Sequence, residues 1–456
     1  MSDTAQAVIP LLSRALHRIR STPPRIIASP ATQPRRAAVA LIIRVSPPPS
    51  LPSSSAPPPL PTTLTEFFAQ DWVNAPGARP EILFLRRDKP NVTSDGGRVN
   101  SNSSGSHVAF PGGRTEEGDE GGLYTAMRQT WEEIGLDLAE NAYTAVGQLD
   151  DREITTSLGK RLLMILSPFV FLQLTPHTTP VDPTPGTRLH WVPLAELLPD
   201  SVLPDNGFDR GSQSRRPRWS EVTVDASSRL APRHSTILRL LMRLLVGSMR
   251  FPAIIIDTSY PTVPVSSSTV SLDAFDIDQK RAVIEDGYKG LHERHQRSTP
   301  KQRIQSGQHE ELKLWGLSLG MTLDLLAYMV PSAPAVAHMN DVAMSLRGSL
   351  IPPYLKGDNM GVPAMAPSLT SVFPRFSYPD VNFWIWVFGK RYREVVRSWE
   401  ASIRAGGTND RRINWTGSAL STFYAAVRKA LVVVIVFRAI VLLLSLVVGG
   451  WFFLSK

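Results

Sequence analysis

The chain contains no cysteine among its 456 residues. Without thiols it cannot form a disulfide framework, a cysteine nucleophile or a Cys-based zinc site, which agrees with a reducing compartment. Acidic residues are also outnumbered, 40 against 49 lysines and arginines, so the formal net charge is +9. This balance favours anionic partners such as phosphate esters, an anionic membrane surface or nucleic acid. The alternative is that the basic residues only solvate the surface.

The segment from residue 110 to residue 136 is the most informative: FPGGRTEEGDEGGLYTAMRQTWEEIGL. A glycine turn leads into an acidic loop and then into a helix. Residues three and four apart share a helix face, so Gln129, Glu132 and Glu133 are expected to project together. Neighbouring carboxylates on a rigid helix suit Mg²⁺ or Mn²⁺, and Mg²⁺ keeps waters and substrate phosphates in the rest of its shell. The segment therefore predicts phosphate chemistry.

This segment resembles the signature of the Nudix hydrolase family, G-x5-E-x7-R-E-U-x-E-E-x-G-U, in which U is aliphatic. Gly113 and Arg128 match the signature glycine and arginine, and Glu132 and Glu133 match the paired acids. Two departures stand out: the spacing from Gly113 to Arg128 is one residue longer, and Gln129 replaces an expected acid. The resemblance implies an α/β fold, a Nudix-type α/β/α sandwich with a mixed sheet.

The longer spacing resembles the coenzyme A diphosphatase branch, in which FPGG is followed by an acid, two residues and another acid. Glu116 and Asp119 stand at those positions. This branch would imply hydrolysis of coenzyme A or its thioesters to adenosine 3′,5′-bisphosphate and a 4′-phosphopantetheine product. The basic balance fits a substrate with three phosphate groups, and it fits other nucleotide diphosphates equally well.

The resemblance assigns roles to the site residues. Glu132 and Glu133 are expected to bind the metal and Arg128 to orient the acidic cluster. The remaining candidates are glycines for the turn (Gly112, Gly113), further metal ligands (Glu116, Asp119, Glu120) and substrate-phosphate contacts (Arg86, Arg87, Arg114). Gln129 carries no charge and is no general base. Either the base comes from elsewhere, with Asp150, Asp151 and Glu153 as sources, or the protein is slow or inactive.

An apolar run covers residues 430–454 and is interrupted only by Arg438. Its length suits a helix crossing a hydrocarbon layer of about 30 Å. Arg428 and Lys429 precede the run and Trp451 lies near its far end, as expected at the two interfaces. We predict a tail anchor in the endoplasmic reticulum or mitochondrial outer membrane, with the preceding chain in the cytosol. The alternative is a buried helix of a soluble protein.

Four regions are predicted: an N-terminal helix and lead-in (1–34), a Nudix domain (35–257), a linker and partly helical region (258–427) and the anchor (430–454). The Nudix domain would carry a Pro/Ser-rich insertion at 47–61 and a polar loop at 91–106. The third region contains an amphipathic segment at 390–405, which suits either a membrane surface or packing on the protein. The amphipathic helix predicted at residues 9–19 is either a transit peptide or a helix packed beside the catalytic fold.

Two functions remain open from the sequence. The first is a tail-anchored Nudix diphosphatase, and the second is a membrane-anchored, catalytically impaired binding or scaffold protein. A nucleic-acid partner is not expected, because aromatic stacking motifs do not accompany the basic residues. The oligomeric state stays open.

Overall fold

The computed structural model describes residues 2–29, 35–48, 60–87, 107–155, 162–176, 180–198, 217–227, 235–256, 311–329, 373–394 and 415–455. Its helices are α1 (Ser2–Ser21), α2 (Leu64–Ala69), α3 (Asp71–Asn74), α4 (Gly122–Ile134), α5 (Leu194–Leu197), α6 (Thr236–Val246), α7 (Gly316–Met329), α8 (Pro379–Phe388) and α9 (Trp415–Leu454). Its strands are β1 (Arg36–Ser46), β2 (Arg79–Arg87), β3 (Val108–Ala109), β4 (Gly112–Arg114), β5 (Tyr143–Gln148), β6 (Arg152–Thr155), β7 (Leu162–Gln173), β8 (Thr187–Pro193), β9 (Arg218–Asp225), β10 (Ser248–Ile256), β11 (Leu312–Trp315) and β12 (Arg375–Phe376).

Eight strands form the main sheet, in the order β3-β2-β1-β7-β5, with β4 added to β1, β6 to β7 and β8 to β2. The central strands β1 and β7 are parallel. The remaining pairs of this sheet are antiparallel. The prediction of a mixed sheet is therefore confirmed.

Strand β1 shows why the sheet carries helices on both faces. Alternate side chains of a strand point to opposite faces. Ala38, Ala40 and Ile42 belong to the cluster that includes residues of α4, whereas Leu41 and Ile43 belong to the cluster that includes α1 and α7. The result is the predicted α/β/α sandwich. The small alanines leave room for α4 close to the sheet.

The N-terminal helix α1 is part of this core. Val8, Leu12 and Leu16 are fully buried, and they lie in the same cluster as the main sheet. The lead-in that follows is held by two backbone amides, since Arg25 N–H donates to Asp150 at 3.0 Å and Ile27 N–H donates to Asp151 at 2.9 Å. In the structure, the N-terminal helix therefore packs beside the main sheet, which is the second of the two alternatives predicted for it.

Pro168 does not interrupt β7, which runs through it as one strand. Pro168 lies where the neighbour of β7 changes. Gln148 of β5 opposes Phe169, and Arg152 of β6 opposes Leu166. A proline lacks the amide hydrogen of a ladder bond. At this junction its carbonyl still accepts from Leu149 N–H at 2.9 Å.

A second, four-stranded sheet crosses the boundary predicted at residue 257. Strand β10 pairs with β9 on one side and with β11 and β12 on the other. Residues 312–315 form β11, and helix α7 begins directly after it at Gly316. Asp324 of α7 forms an ion pair with the buried Arg152 of β6. Residues on both sides of position 257 therefore build one sheet, and the predicted division does not separate two structural units.

Helix α9 is longer than the predicted anchor. Its segment Ser421–Leu454 is long and apolar enough to cross a membrane. The first part of that segment is packed, however, since Ala430, Leu431 and Val434 are buried beside α8 and the second sheet. Residues 439–454 are all exposed. Between residues 430 and 438 buried positions alternate with exposed ones such as Val432, Val436 and Phe437, and exposure on every side begins only after Arg438.

Three predicted segments fall largely outside the described residues. These are most of the Pro/Ser-rich insertion (49–59), the polar loop (91–106) and the amphipathic segment beyond residue 394.

Candidate metal and diphosphate site

Helix α4 carries the acidic residues and is fixed at both ends. At its start, Thr125 N–H donates to Gly121 O at 3.0 Å. At its end, Gly135 adopts the left-handed conformation (φ 67°) that favours glycine, and its N–H donates to Trp131 O. Thr184 N–H also donates to the Glu133 carbonyl at 2.9 Å. The last turn is thus held by a second segment of the chain.

The two glycines of β4 bring the strand against α4. A Cβ atom at Gly113 would lie 1.9 Å from the Gln129 amide oxygen. At Gly112, where φ is 147°, it would lie 2.3 Å from the Ala38 carbonyl oxygen. Neither position accepts a side chain without a shift of the backbone or of Gln129. The glycine pair therefore places the edge of β4 beside the Gln129 side chain.

Arg128 and Asp119 join the acidic loop to the helix. Arg128 Nε and Nη2 donate to the two carboxylate oxygens of Asp119, each at 2.8 Å. The Glu116 amide and the Thr125 hydroxyl also donate to Asp119, each at 2.9 Å. Hydrogen bonding from Arg128 holds the pKa of Asp119 well below its usual range, and the same bond raises the pKa of Arg128. With its side chain only 3% exposed, Asp119 is suited to positioning more than to the predicted metal binding.

Glu132 and Glu133 point to different partners. Glu132 accepts from Arg128 Nη1 and from Gln129 Nε2, each at 2.9 Å, and its side chain is 50% exposed. Glu133 accepts from Arg87 of β2, with Nη2 at 2.7 Å, and is 15% exposed. The structure thus brings Arg128, Gln129 and Glu132 together. Glu133 faces β2, where Arg87 neutralises it.

The remaining candidates lie around this group. Glu116 and Glu120 are exposed, and a Glu116 oxygen lies 3.4 Å from Arg128. Arg114 is exposed, and its carbonyl accepts from Arg128 at 3.3 Å. Arg86 is buried within β2. Arg87 and Arg114 are therefore accessible to a phosphate, whereas Arg86 is not.

Asp151 is engaged by hydrogen bonds from three side chains. It is buried and accepts from Arg36, Ser167 and Gln148, each at 2.7 Å. Asp150 holds the lead-in, as described above. These aspartates therefore fasten the N-terminal segment to the sheet, which does not favour the predicted base role.

Thr125 is a residue that sequence reasoning missed. Its hydroxyl is buried and donates to Asp119, and so it helps fix the acidic loop. The detectable signal was a polar residue on the inner face of α4, where Ala126 and Ile134 pack.

The donor set suits a hard divalent cation in part. Within the ranges described above, no group of three or more His, Cys, Asp or Glu side chains is placed to hold a metal ion. Glu132, Glu133 and the amide oxygen of Gln129 nevertheless offer oxygen atoms on one helix turn. Mg²⁺ often takes only one or two carboxylates and completes its shell with waters and substrate phosphates. These oxygen atoms are of the type that Mg²⁺ and Mn²⁺ prefer, and in this structure Glu132 pairs with Arg128 and Glu133 with Arg87.

Comparisons with known proteins locate this site within a known domain. Residues 76–210 match the family model described as the NUDIX domain. An uncharacterized protein of Schizosaccharomyces pombe is 28% identical over 252 residues, which is 55% of this chain. The match spans 63% of that relative, so less than two thirds of its length is covered.

Two solved structures are similar over part of the chain. A Nudix hydrolase from M. smegmatis, RenU, is 16% identical and covers 37% of this chain and 74% of its own, with a TM-score of 0.20. A MutT/nudix family protein from Enterococcus faecalis is 11% identical and covers 38% of this chain and 47% of its own, with a TM-score of 0.19.

Proposed function

We propose that the Nudix domain carried by this chain is a divalent-metal-dependent pyrophosphohydrolase that cleaves a diphosphate linkage in a nucleotide derivative. One observation carries the proposal. Within the matched stretch, Glu132 stands half exposed at the end of α4, bonded to Arg128 and Gln129 and adjacent in sequence to Glu133. This arrangement offers carboxylates to a cation and arginines to phosphates on one surface.

Glu132 and Glu133 are the residues that would hold Mg²⁺ or Mn²⁺, with Gln129 as a neutral third donor. A bound divalent ion would neutralise phosphate charge and lower the pKa of a coordinated water. Hydrolysis adds a water oxygen to one phosphorus and breaks its bond to the bridging oxygen. The products are two phosphate monoesters, and the proton lost by the water passes to solvent.

The neighbouring residues would position the reacting groups. Arg128, fixed by Asp119, holds Glu132 on the outer side of α4. Arg87 reaches the site from β2 and already binds a carboxylate there. The same guanidinium can bind a phosphate oxygen, because its planar donors suit both anions. The chain thus supplies orientation and positive charge around the diphosphate.

Coenzyme A or a related nucleotide diphosphate is the proposed substrate. The support is the FPGG segment followed by Glu116 and Asp119 at the spacing of the coenzyme A branch. Arg87 and Arg114 are exposed beside the site, and they could bind the phosphates of so anionic a molecule.

A second candidate is a membrane-anchored binding or scaffold protein with little turnover. Gln129 favours it, because an amide in place of a carboxylate cannot accept a proton and adds no charge for a metal. The ion pair between Glu133 and Arg87 favours it too, since it competes with metal binding.

The proposal includes a membrane tether. Helix α9 is long and apolar enough to cross a bilayer, and residues 439–454 are exposed throughout. Arg428 and Lys429 precede this part, and basic residues favour the cytosolic side. We place the catalytic domain in the cytosol, at the endoplasmic reticulum or the mitochondrial outer membrane.

The test is a substrate screen of the full-length chain in lipid nanodiscs. With Mg²⁺ and coenzyme A, we expect the chain to release adenosine 3′,5′-bisphosphate, which is measured by chromatography. We expect the Glu133→Gln variant to release none. Glu140→Gln is the matched control, since Glu140 is exposed and lies after α4.

Cleavage of a different nucleotide diphosphate would show that the proposed substrate is wrong and that the proposed hydrolase activity is right. If no diphosphate is cleaved while a nucleotide still binds, the binding function is correct. Turnover that survives Glu133→Gln would overturn the metal assignment.

A further inference from the structure

Helix α6 leaves one apolar stripe uncovered. Ile237, Leu240, Leu241 and Leu244 follow helical spacing (i, i+3, i+4, i+7), and their exposed fractions range from 46% to 82%. Side chains at this spacing lie on one helix face. Four large aliphatic side chains on one exposed face are costly in water, because apolar surface is stabilised by removal from water. We therefore expect the stripe to be buried against another apolar surface.

The opposite side of α6 is already packed. Val246 is buried, and Met242 and Leu245 pack against the cluster that includes the second sheet, α8 and α9. The outward stripe is thus a second apolar face of the same helix. It is not needed to hold α6 on the protein.

The end of α6 is bound to the tail helix α9. Arg438 of α9 donates to the Leu245 carbonyl, and Tyr378 OH donates to the Leu244 carbonyl at 3.1 Å. These bonds satisfy carbonyls at the helix C-terminus, where positive charge is favourable. Arg438 also pairs with Asp380 of α8 at 2.6 Å. The last turn of α6 therefore sits at the level where α9 leaves the protein.

The length of the apolar end of α9 determines where Arg438 and the end of α6 lie relative to the bilayer. The part of α9 that is exposed on every side, residues 439–454, measures about 24 Å at about 1.5 Å per residue. A hydrocarbon layer of about 30 Å is somewhat thicker than this. A span that is slightly short draws its flanking residues towards the bilayer. Arg438 and the end of α6 would then lie at the headgroups.

The surroundings of the stripe suit a phospholipid surface. Helix α6 contains Arg239 and Arg243 and no acidic residue. Two further apolar side chains, Phe383 and Val387, are exposed one turn apart on α8, and Lys390 follows them. Aliphatic faces flanked by basic residues are typical of helices that lie in the membrane interface.

We propose that α6 lies in the interface of the same bilayer that α9 crosses, with its exposed stripe in the acyl region and Arg239 and Arg243 at the phosphates. The inference rests on the proposed tether, because α9 brings the stripe to the bilayer. A lipid surface is favoured over a second copy of the chain because the stripe ends at Leu244, next to the Leu245 carbonyl that Arg438 of α9 binds, and so lies close to the apolar surface of α9.

The test uses the absence of cysteine, since each single-cysteine variant of the full-length chain can carry one nitroxide label. The chain is reconstituted in phosphatidylcholine–phosphatidylserine vesicles with labels at Leu241→Cys in the stripe, Arg243→Cys on the basic side of α6, Leu446→Cys in the tail and Glu140→Cys in the catalytic domain. Collision rates with oxygen, which enriches in lipid, and with a water-soluble nickel chelate are measured by electron paramagnetic resonance.

We expect Leu241 to share the high-oxygen, low-nickel ratio of Leu446, and Arg243 to share the nickel accessibility of Glu140. If the label at Leu241 is exposed to water while the label at Leu446 is exposed to lipid, the proposal for α6 is wrong and the membrane tether is retained. Low access to both reagents at Leu241, with spin–spin broadening, would identify a second copy as the cover. A water-exposed Leu446 would remove the tether itself.

Discussion

The guanidinium of Arg128 and the carboxylate of Asp119 form a two-point ion pair, with both nitrogen–oxygen distances at 2.8 Å. The pair ties the acidic loop to α4 and leaves Nη1 of Arg128 for Glu132. The position of Glu132 therefore depends on a residue 13 positions earlier in the chain.

Replacing Asp119 by Asn should destabilise the domain and weaken turnover. The amide keeps the shape of the side chain but loses its charge, and hydrogen bonds to charged groups contribute about 2 kcal/mol. We expect a fall of about that size in the free energy of unfolding, measured by urea denaturation. Glu117→Gln is the control, since Glu117 is exposed in the same loop. Equal stability of the two variants would contradict the role of the pair.

The same pair predicts a dependence on pH. Because the pKa of Asp119 is lowered in the folded chain, its contribution is fully present above the pKa of the unfolded residue. That contribution declines as the pH falls below about 4, the ordinary aspartate pKa, towards the folded value. The stability difference between the natural chain and Asp119→Asn should therefore shrink as urea unfolding is repeated at lower pH. A difference that grows on acidification would show that the sign is wrong.

Gln129→Glu should increase metal binding and turnover. The new carboxylate would lie beside Glu132 and against Gly113. Its repulsion with Glu132 is relieved by a cation, so Mg²⁺ should raise the melting temperature more in this variant than in the natural chain. A recovered catalytic carboxylate would raise kcat by about 100-fold. Gln129→Ala serves as the control and should show neither effect.

Asp151→Asn should lower the stability of the folded protein and should not abolish hydrolysis. Asp151 is buried and pairs with Arg36, and breaking a buried pair costs about 3 kcal/mol. We expect a lower melting temperature by circular dichroism, with the turnover of the remaining folded protein largely kept. A fully stable variant without turnover would instead identify Asp151 as the base.

The packed part of α9 predicts different results for two truncations. Removing residues 439–456 should release a folded protein into the supernatant after carbonate extraction. Removing residues 430–456 also deletes Ala430, Leu431 and Val434 from the core, so this chain should melt earlier or aggregate. If both truncated chains melt alike, the packing of these residues is unimportant.

Much of the sandwich could be predicted because local patterns decide it. The segment from residue 110 to residue 136 predicts helix α4, and its resemblance to the Nudix signature implies the mixed sheet. Helical spacing also predicts that Gln129 and Glu132 lie together, whereas Glu133, expected beside them, faces Arg87 of β2. What could not be predicted depends on distant partners: Arg87 reaches Glu133 across 46 positions, and Arg152 meets Asp324 across 172.

The second sheet shows the same limit. The linker composition after residue 257 predicts a boundary, yet residues 312–315 return to pair with β10. Pairing between strands this far apart leaves no mark on local composition. The apolar run at residues 430–438 likewise resembles lipid-facing sequence, although Val434 packs on protein.

The pairing of β10 with β11 bears on how this protein could be divided by genetic engineering. A chain that stops at residue 257 would leave residues 253–256 of β10 without the partner strand β11 along that edge. Such an unpaired strand edge favours aggregation, because it can pair with a strand of another molecule. A shortened chain for expression should therefore retain β11 together with the residues that connect it to β10.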